Sequence, residues 1–67
     1  MNRKVTKKEA ETYINAIIKD IYKKDSIEEL NTTQRYILKL NLIERNRTNE
    51  IDDKSFPVFM EVYKEMI

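Results

Sequence analysis

The chain contains no glycine and only one proline in 67 residues. Tight β-hairpins draw their turns chiefly from Asn-Gly, Asp-Gly and related pairs, so the shortest route to a sheet is missing. The same absence excludes a glycine-rich phosphate loop, a dinucleotide fingerprint and a nucleophile elbow. Cysteine and histidine are also absent, which removes disulfides, Cys/His metal sites, thiol nucleophiles and imidazole bases. A chain of this length buries only roughly 60% of its unfolded surface. Without staples, it must draw its stability from helix packing or self-association. The 27 apolar residues, nine of them Ile, fall in periodic runs, which argues for a core rather than disorder.

The periodicity predicts an all-α, three-helix domain over residues 1–67, with helices at about 7–24, 32–47 and 56–66 and a short extra turn near 27–30. The first helix opens on a capping box, Thr6-Lys7-Lys8-Glu9. At 3.6 residues per turn, Ala10, Ile14, Ile17 and Ile21 share one face, flanked by Tyr13 and Ile18. Ser26-Ile27-Glu28-Glu29 reads as a second capping box, and Asn31 with Gln34 as the start of helix 2. In helix 2, Tyr36, Ile37, Leu40 and Ile43 form one face, through which Ile37, Leu40 and Ile43 can pack on helix 1. Leu38 and Leu42 form a ridge on the opposite side, bordered by Arg35, Lys39 and Arg45, which either meets helix 3 or stays exposed as part of a groove or dimer seam. Residues 36–43 also alternate with period two, which leaves a strand open, but length and capping favour helix. Ser55 is the expected cap of helix 3, with Pro57 in its first turn. Ile51 is expected to pin the polar loop before it.

Helix 3 is the most apolar element. Phe56, Val58, Phe59, Met60, Val62, Tyr63, Met66 and Ile67 cover more of its circumference than one core face requires, and large exposed apolar patches mark interaction sites. The expected protein interface is therefore Phe56, Phe59, Met60 and Tyr63, joined by Leu38, Leu42 and Arg35.

Charge is distributed unevenly. Residues 1–24 hold seven Lys/Arg against three acidic residues, and residues 25–67 hold six against nine. The basic end offers an alternative, a small DNA-binding regulator using Arg3, Lys4, Lys7, Lys8, Lys19 and Lys23, with residues 1–5 as a basic, disordered arm. Binding of that kind would fall steeply with salt. Thr32-Thr33-Gln34-Arg35-Tyr36-Ile37-Leu38 resembles the start of a helix in some winged-helix repressors, but no recognition helix or wing follows. Glu50, Asp52 and Asp53 lack the ligand pattern of a calcium loop and read as loop and capping carboxylates.

No catalytic group, cofactor, metal or small-molecule substrate is expected. The leading expectation is a non-catalytic protein-protein interaction module, a regulator, inhibitor or adaptor that occludes a larger target, and a homodimer. A structural subunit of a larger assembly is a further alternative. No long apolar run follows the basic start, so a cytoplasmic protein off the membrane is expected. Nine Lys, nine Ile and six Asn have AT-rich codons and suggest a bacterial phage or other mobile element.

Overall fold

The structure is a computed structural model, and it describes residues 5–67. The N-terminal arm, with Arg3 and Lys4, lies outside the described residues, except for Val5. Val5 is half-buried against the core, and its N–H donates to Ser55 Oγ at 3.4 Å.

Among the described residues the chain is all-α, with three helices and no strand. Helix α1 spans Lys7–Ile17 and continues as a π-helical turn over Ile18–Tyr22. A 3₁₀ turn covers Ile27–Glu29, α2 covers Thr32–Arg47 and α3 covers Phe56–Met66. The strand alternative for residues 36–43 is thereby settled as helix.

The starts of α1 and α2 follow from their caps. Thr6 Oγ accepts from the Glu9 N–H at 3.1 Å, and Glu9 returns a carboxylate to the Thr6 N–H at 2.9 Å. Asn31 and Gln34 repeat the arrangement at 2.8 and 3.0 Å. Each box satisfies two N–H groups that the helix itself leaves unpaired.

The other two expected caps are corrected. Ser26 makes no capping bond; instead, Glu29 reaches back to the Asp25 N–H at 2.9 Å. Ser55 already has helical dihedrals and makes no side-chain cap. Asp52 takes that role: its carboxylate accepts from the Ser55 N–H at 2.8 Å, and its carbonyl accepts from the Phe56 N–H at 3.0 Å. Ser55 is left free to receive Val5.

The π-turn accounts for a difference at Ile21. A straight α-helix would put Ile21 under Ile17, in the core. A π-turn closes i→i+5 bonds and advances less per residue, so Ile21 swings outward to 46% exposure while Ile18 is fully buried. Tyr22 is half-buried instead, and its hydroxyl donates to the Gln34 carbonyl at 3.2 Å.

With no glycine available, other residues take both left-handed positions. Lys23, at φ 58°, ends the π-turn, and Asn49, at φ 68°, ends α2. Asn49 sits in a Schellman motif: Glu50 N–H donates to the Arg45 carbonyl at 2.8 Å and Asn49 N–H to the Asn46 carbonyl at 3.0 Å. Asn tolerates this region more readily than Lys, whose Cβ clashes there.

The core lies between all three helices. Ala10, Ile14, Ile17 and Ile18 come from α1, Leu38 and Leu42 from α2, and Val58, Phe59, Val62 and Tyr63 from α3. Ile27, Leu30 and Ile51 bring in the connections, so Ile51 does pin its loop. Helix α1 packs most extensively on α3. No described buried side-chain nitrogen or oxygen lacks a hydrogen-bond partner.

The packing of α2 buries the Leu38/Leu42 ridge, one of its two open arrangements, and corrects the inward placing of Ile37, Leu40 and Ile43. Leu38 and Leu42 are completely buried, whereas Tyr36, Ile37, Leu40 and Ile43 are exposed. The polar residues beside the two leucines explain the choice. Arg35 Nε donates to the Ile27 carbonyl at 3.2 Å and Asn46 Nδ2 to the Ile51 carbonyl at 2.9 Å, while Arg45 reaches Tyr13 on α1 at 3.0 Å. These partners exist only when the Leu38/Leu42 side faces inward.

Leu38→Ala or Leu42→Ala is expected to lower unfolding stability by about 2–5 kcal/mol. Leu40→Ala, at low protein concentration, should change it by about 0.5 kcal/mol or less. Urea denaturation of the three variants checks the assignment, and the reverse ranking would overturn it. In the same assay, Lys23→Gly should be stabilising by about 0.5–1 kcal/mol, because it relieves the left-handed position.

Candidate interaction surface

Most of the residues expected to meet a partner serve the chain's own core. Leu38 and Leu42 are fully enclosed, and Phe59 and Tyr63 are buried. Phe56, Met60 and Arg35 are half-buried, and the first two pack on the core. Phe59 meets Tyr13 of α1 edge-on, with ring centroids 5.1 Å apart and an interplanar angle of 79°. The Tyr63 hydroxyl donates to the Arg35 carbonyl at 2.7 Å, tying α3 to the first turn of α2. The broad apolar arc of α3 is thus covered by its neighbours, because α3 contacts both α1 and α2.

The uncovered apolar surface is on α2. Tyr36, Ile37, Leu40 and Ile43 are 59%, 48%, 45% and 40% exposed. Their spacing puts them on one stripe of the helix. Lys39 and Glu44 are exposed on opposite flanks of that stripe. Beside Tyr36 a shallow groove is lined by Thr32, Arg35, Tyr36, Lys39, Tyr63 and Ile67, and Ile67 is itself 55% exposed. The sequence showed these four α2 residues as a face but placed that face inside.

Of the basic residues in the DNA-binding alternative, the four that are described are all exposed, and two of them bond within the chain. Lys7 Nζ lies 2.9 Å from Glu65 and 3.3 Å from Glu61 on α3. Hydrogen bonds to Glu65 and then Glu61 raise its pKa above the usual lysine value, and the two carboxylates offset its charge toward a phosphate. Lys8, Lys19 and Lys23 are exposed on α1 and its end, and Lys23 Nζ donates to the Asp20 carbonyl at 2.9 Å.

The acidic loop residues each have a protein partner. Glu50 accepts from the Tyr13 hydroxyl and pairs with Arg45. Arg45 also donates to Asn41 at 2.6 Å and lies 5.7 Å from the centre of the Tyr13 ring. Asp53 accepts from Asn46 Nδ2 at 3.0 Å, and Asp52 caps α3. The Tyr13–Arg45–Glu50 group therefore clamps α1, the end of α2 and the following loop together.

These contacts set a pH dependence. Hydrogen bonds from Tyr13 and then Arg45 lower the Glu50 pKa, and the backbone N–H of Ser55 lowers that of Asp52. Their contributions to stability are complete above the ordinary values of 4.5 and 3.8 and are lost as pH falls through the depressed folded values. Burial raises the pKa of Tyr13 and Tyr63 above 10.0. Their contributions are present below that value and are lost as pH rises through the folded ones. Urea midpoints should therefore be flat from about pH 5 to about pH 9 and fall on both sides. Glu50→Gln should lower the plateau and make the acid limb shallower; an unchanged acid limb would contradict this role.

Family models, curated proteins and solved structures offer no match to this chain.

Proposed function

We propose that this chain is a small non-catalytic protein-protein interaction module that docks through the outer face of α2. The observation that carries the reading is the exposed stripe of Tyr36, Ile37, Leu40 and Ile43. Single exposed apolar residues are ordinary, but a contiguous patch on a small domain marks a docking surface. Aromatic and aliphatic anchors ringed by polar residues are the usual arrangement at such surfaces, and here Lys39, Glu44 and Arg47 supply the ring.

Such a module acts by occupying or displacing a surface, which is how a small regulator, inhibitor or adaptor works. The cytoplasm of a bacterial cell, with a phage or mobile element as the source of the gene, is the setting proposed for it. No described helix is long and apolar enough to cross a membrane.

The test compares the tagged wild-type chain with Leu40→Glu, a substitution on the exposed face. Circular dichroism and melting temperature should match, since Leu40 is outside the core. Protein bound to the wild type, whether a second copy or another protein, should be lost at least tenfold in the variant. Equal retention by both chains would overturn the reading. A gel shift with duplex DNA at low salt should show no retarded band; a salt-sensitive band would favour the basic residues of α1 instead.

A further inference from the structure

Resting on the interaction role proposed above, we infer that α2 pairs with α2 of a second copy of this chain, parallel and in register. The stripe fits a coiled-coil seam. Thr33, Tyr36, Leu40, Ile43 and Arg47 recur with spacings of three and four, the a and d positions of a heptad repeat. Leu38 and Arg45 then fall on the opposite side, where Leu38 is buried and Arg45 meets Tyr13. The helix has sixteen residues, enough for two heptads and about 24 Å of length.

The flanking charges select the direction. Lys39 takes the g position and Glu44 the e position that follows it. In a parallel pair each g residue faces the e residue five positions further along the partner helix, so Lys39 meets Glu44 of the second copy twice. An antiparallel pair centred on Leu40 would set the two Lys39 side chains against each other and put Ile37 beside a carboxylate. The parallel register does place Arg47 near its counterpart at the seam's end. Each Arg47 is already paired with Glu44 of its own helix, which moderates that repulsion.

The groove beside Tyr36 agrees independently. In the parallel register Ile37 of the second copy lies opposite Thr32. Thr32, Tyr36, Lys39 and Ile67 line the groove on that flank. The 48% exposed Ile37 and the 55% exposed Ile67 then cover one another. The seam is short compared with the about 800 Å² per partner of a standard interface, so the expected dissociation constant is micromolar.

The chain has no cysteine, which makes single-cysteine cross-linking unambiguous. Sedimentation velocity across a range of concentrations should show a monomer–dimer equilibrium, and Leu40→Glu should be monomeric with unchanged helicity. Lys39→Glu should weaken dimerisation several-fold, and adding Glu44→Lys to it should recover part of that loss, the remainder reflecting the lost Glu44–Arg47 pair. Thr33→Cys should form a disulfide dimer on mild oxidation. In the antiparallel arrangement the two Thr33 positions would be about 21 Å apart along the axis, beyond disulfide reach. A dimer lost on Leu40→Glu but not cross-linked by Thr33→Cys overturns the parallel register. A dimer that survives Leu40→Glu overturns the face. A wild type monomeric at all concentrations overturns self-pairing, and if it still binds another protein through Leu40 the interaction role stands.

Discussion

Leu38 and Leu42 sit one turn apart on α2, and both are sealed completely from solvent between α1 and α3. A helix in a small domain can turn only one narrow stripe to the core, so burying this pair commits the opposite stripe to water. The exposure of Tyr36, Ile37, Leu40 and Ile43 follows from that single rotational setting. So do the polar contacts beside the leucines, because Arg35, Arg45 and Asn46 reach their partners only from the same orientation.

The setting also explains how a chain without cysteine or histidine holds its connections. Arg35 secures the 3₁₀ turn, Asn46 and Ile51 secure the loop after α2, and the Tyr13–Arg45–Glu50 clamp joins that loop to α1. Each bond is modest, since hydrogen bonds typically contribute about 0.5–1.5 kcal/mol net. Their value is directional: apolar burial alone would accept either stripe of α2, whereas these geometries accept one. The apolar surplus left outside is the stripe on which the proposed docking role rests, and Lys39 and Glu44 flank it.

Local features were legible in the sequence because they rest on neighbours a few residues apart. Thr6 with Glu9 and Asn31 with Gln34 announced two helix starts, and the periodicity placed the helices almost to the residue. Ser26 and Ser55 carried the same local signal and misled, because Glu29 and Asp52 compete for the same backbone N–H groups. The exposed apolar stripe lies on α2 and not on the wide arc of α3 for a related reason. Counting apolar residues favours the four-residue face of α2 as the inner one and makes the wide arc of α3 look surplus. Arginine and asparagine beside Leu38 and Leu42 read as solvent-facing until their distant partners are known.

By itself, the sequence determined an all-α chain, two of its caps and the absence of thiol and imidazole chemistry. Those properties depend on residue type and on spacings within a turn or two. Tertiary structure alone decided which stripe of α2 faces in, that α3 is covered, that the π-turn carries Ile21 outward and that Lys23 and Asn49 take the left-handed positions glycine would otherwise fill. These are outcomes of fitting three helices around one core, where bonds between residues five to fifty positions apart choose among arrangements that local pattern leaves equal.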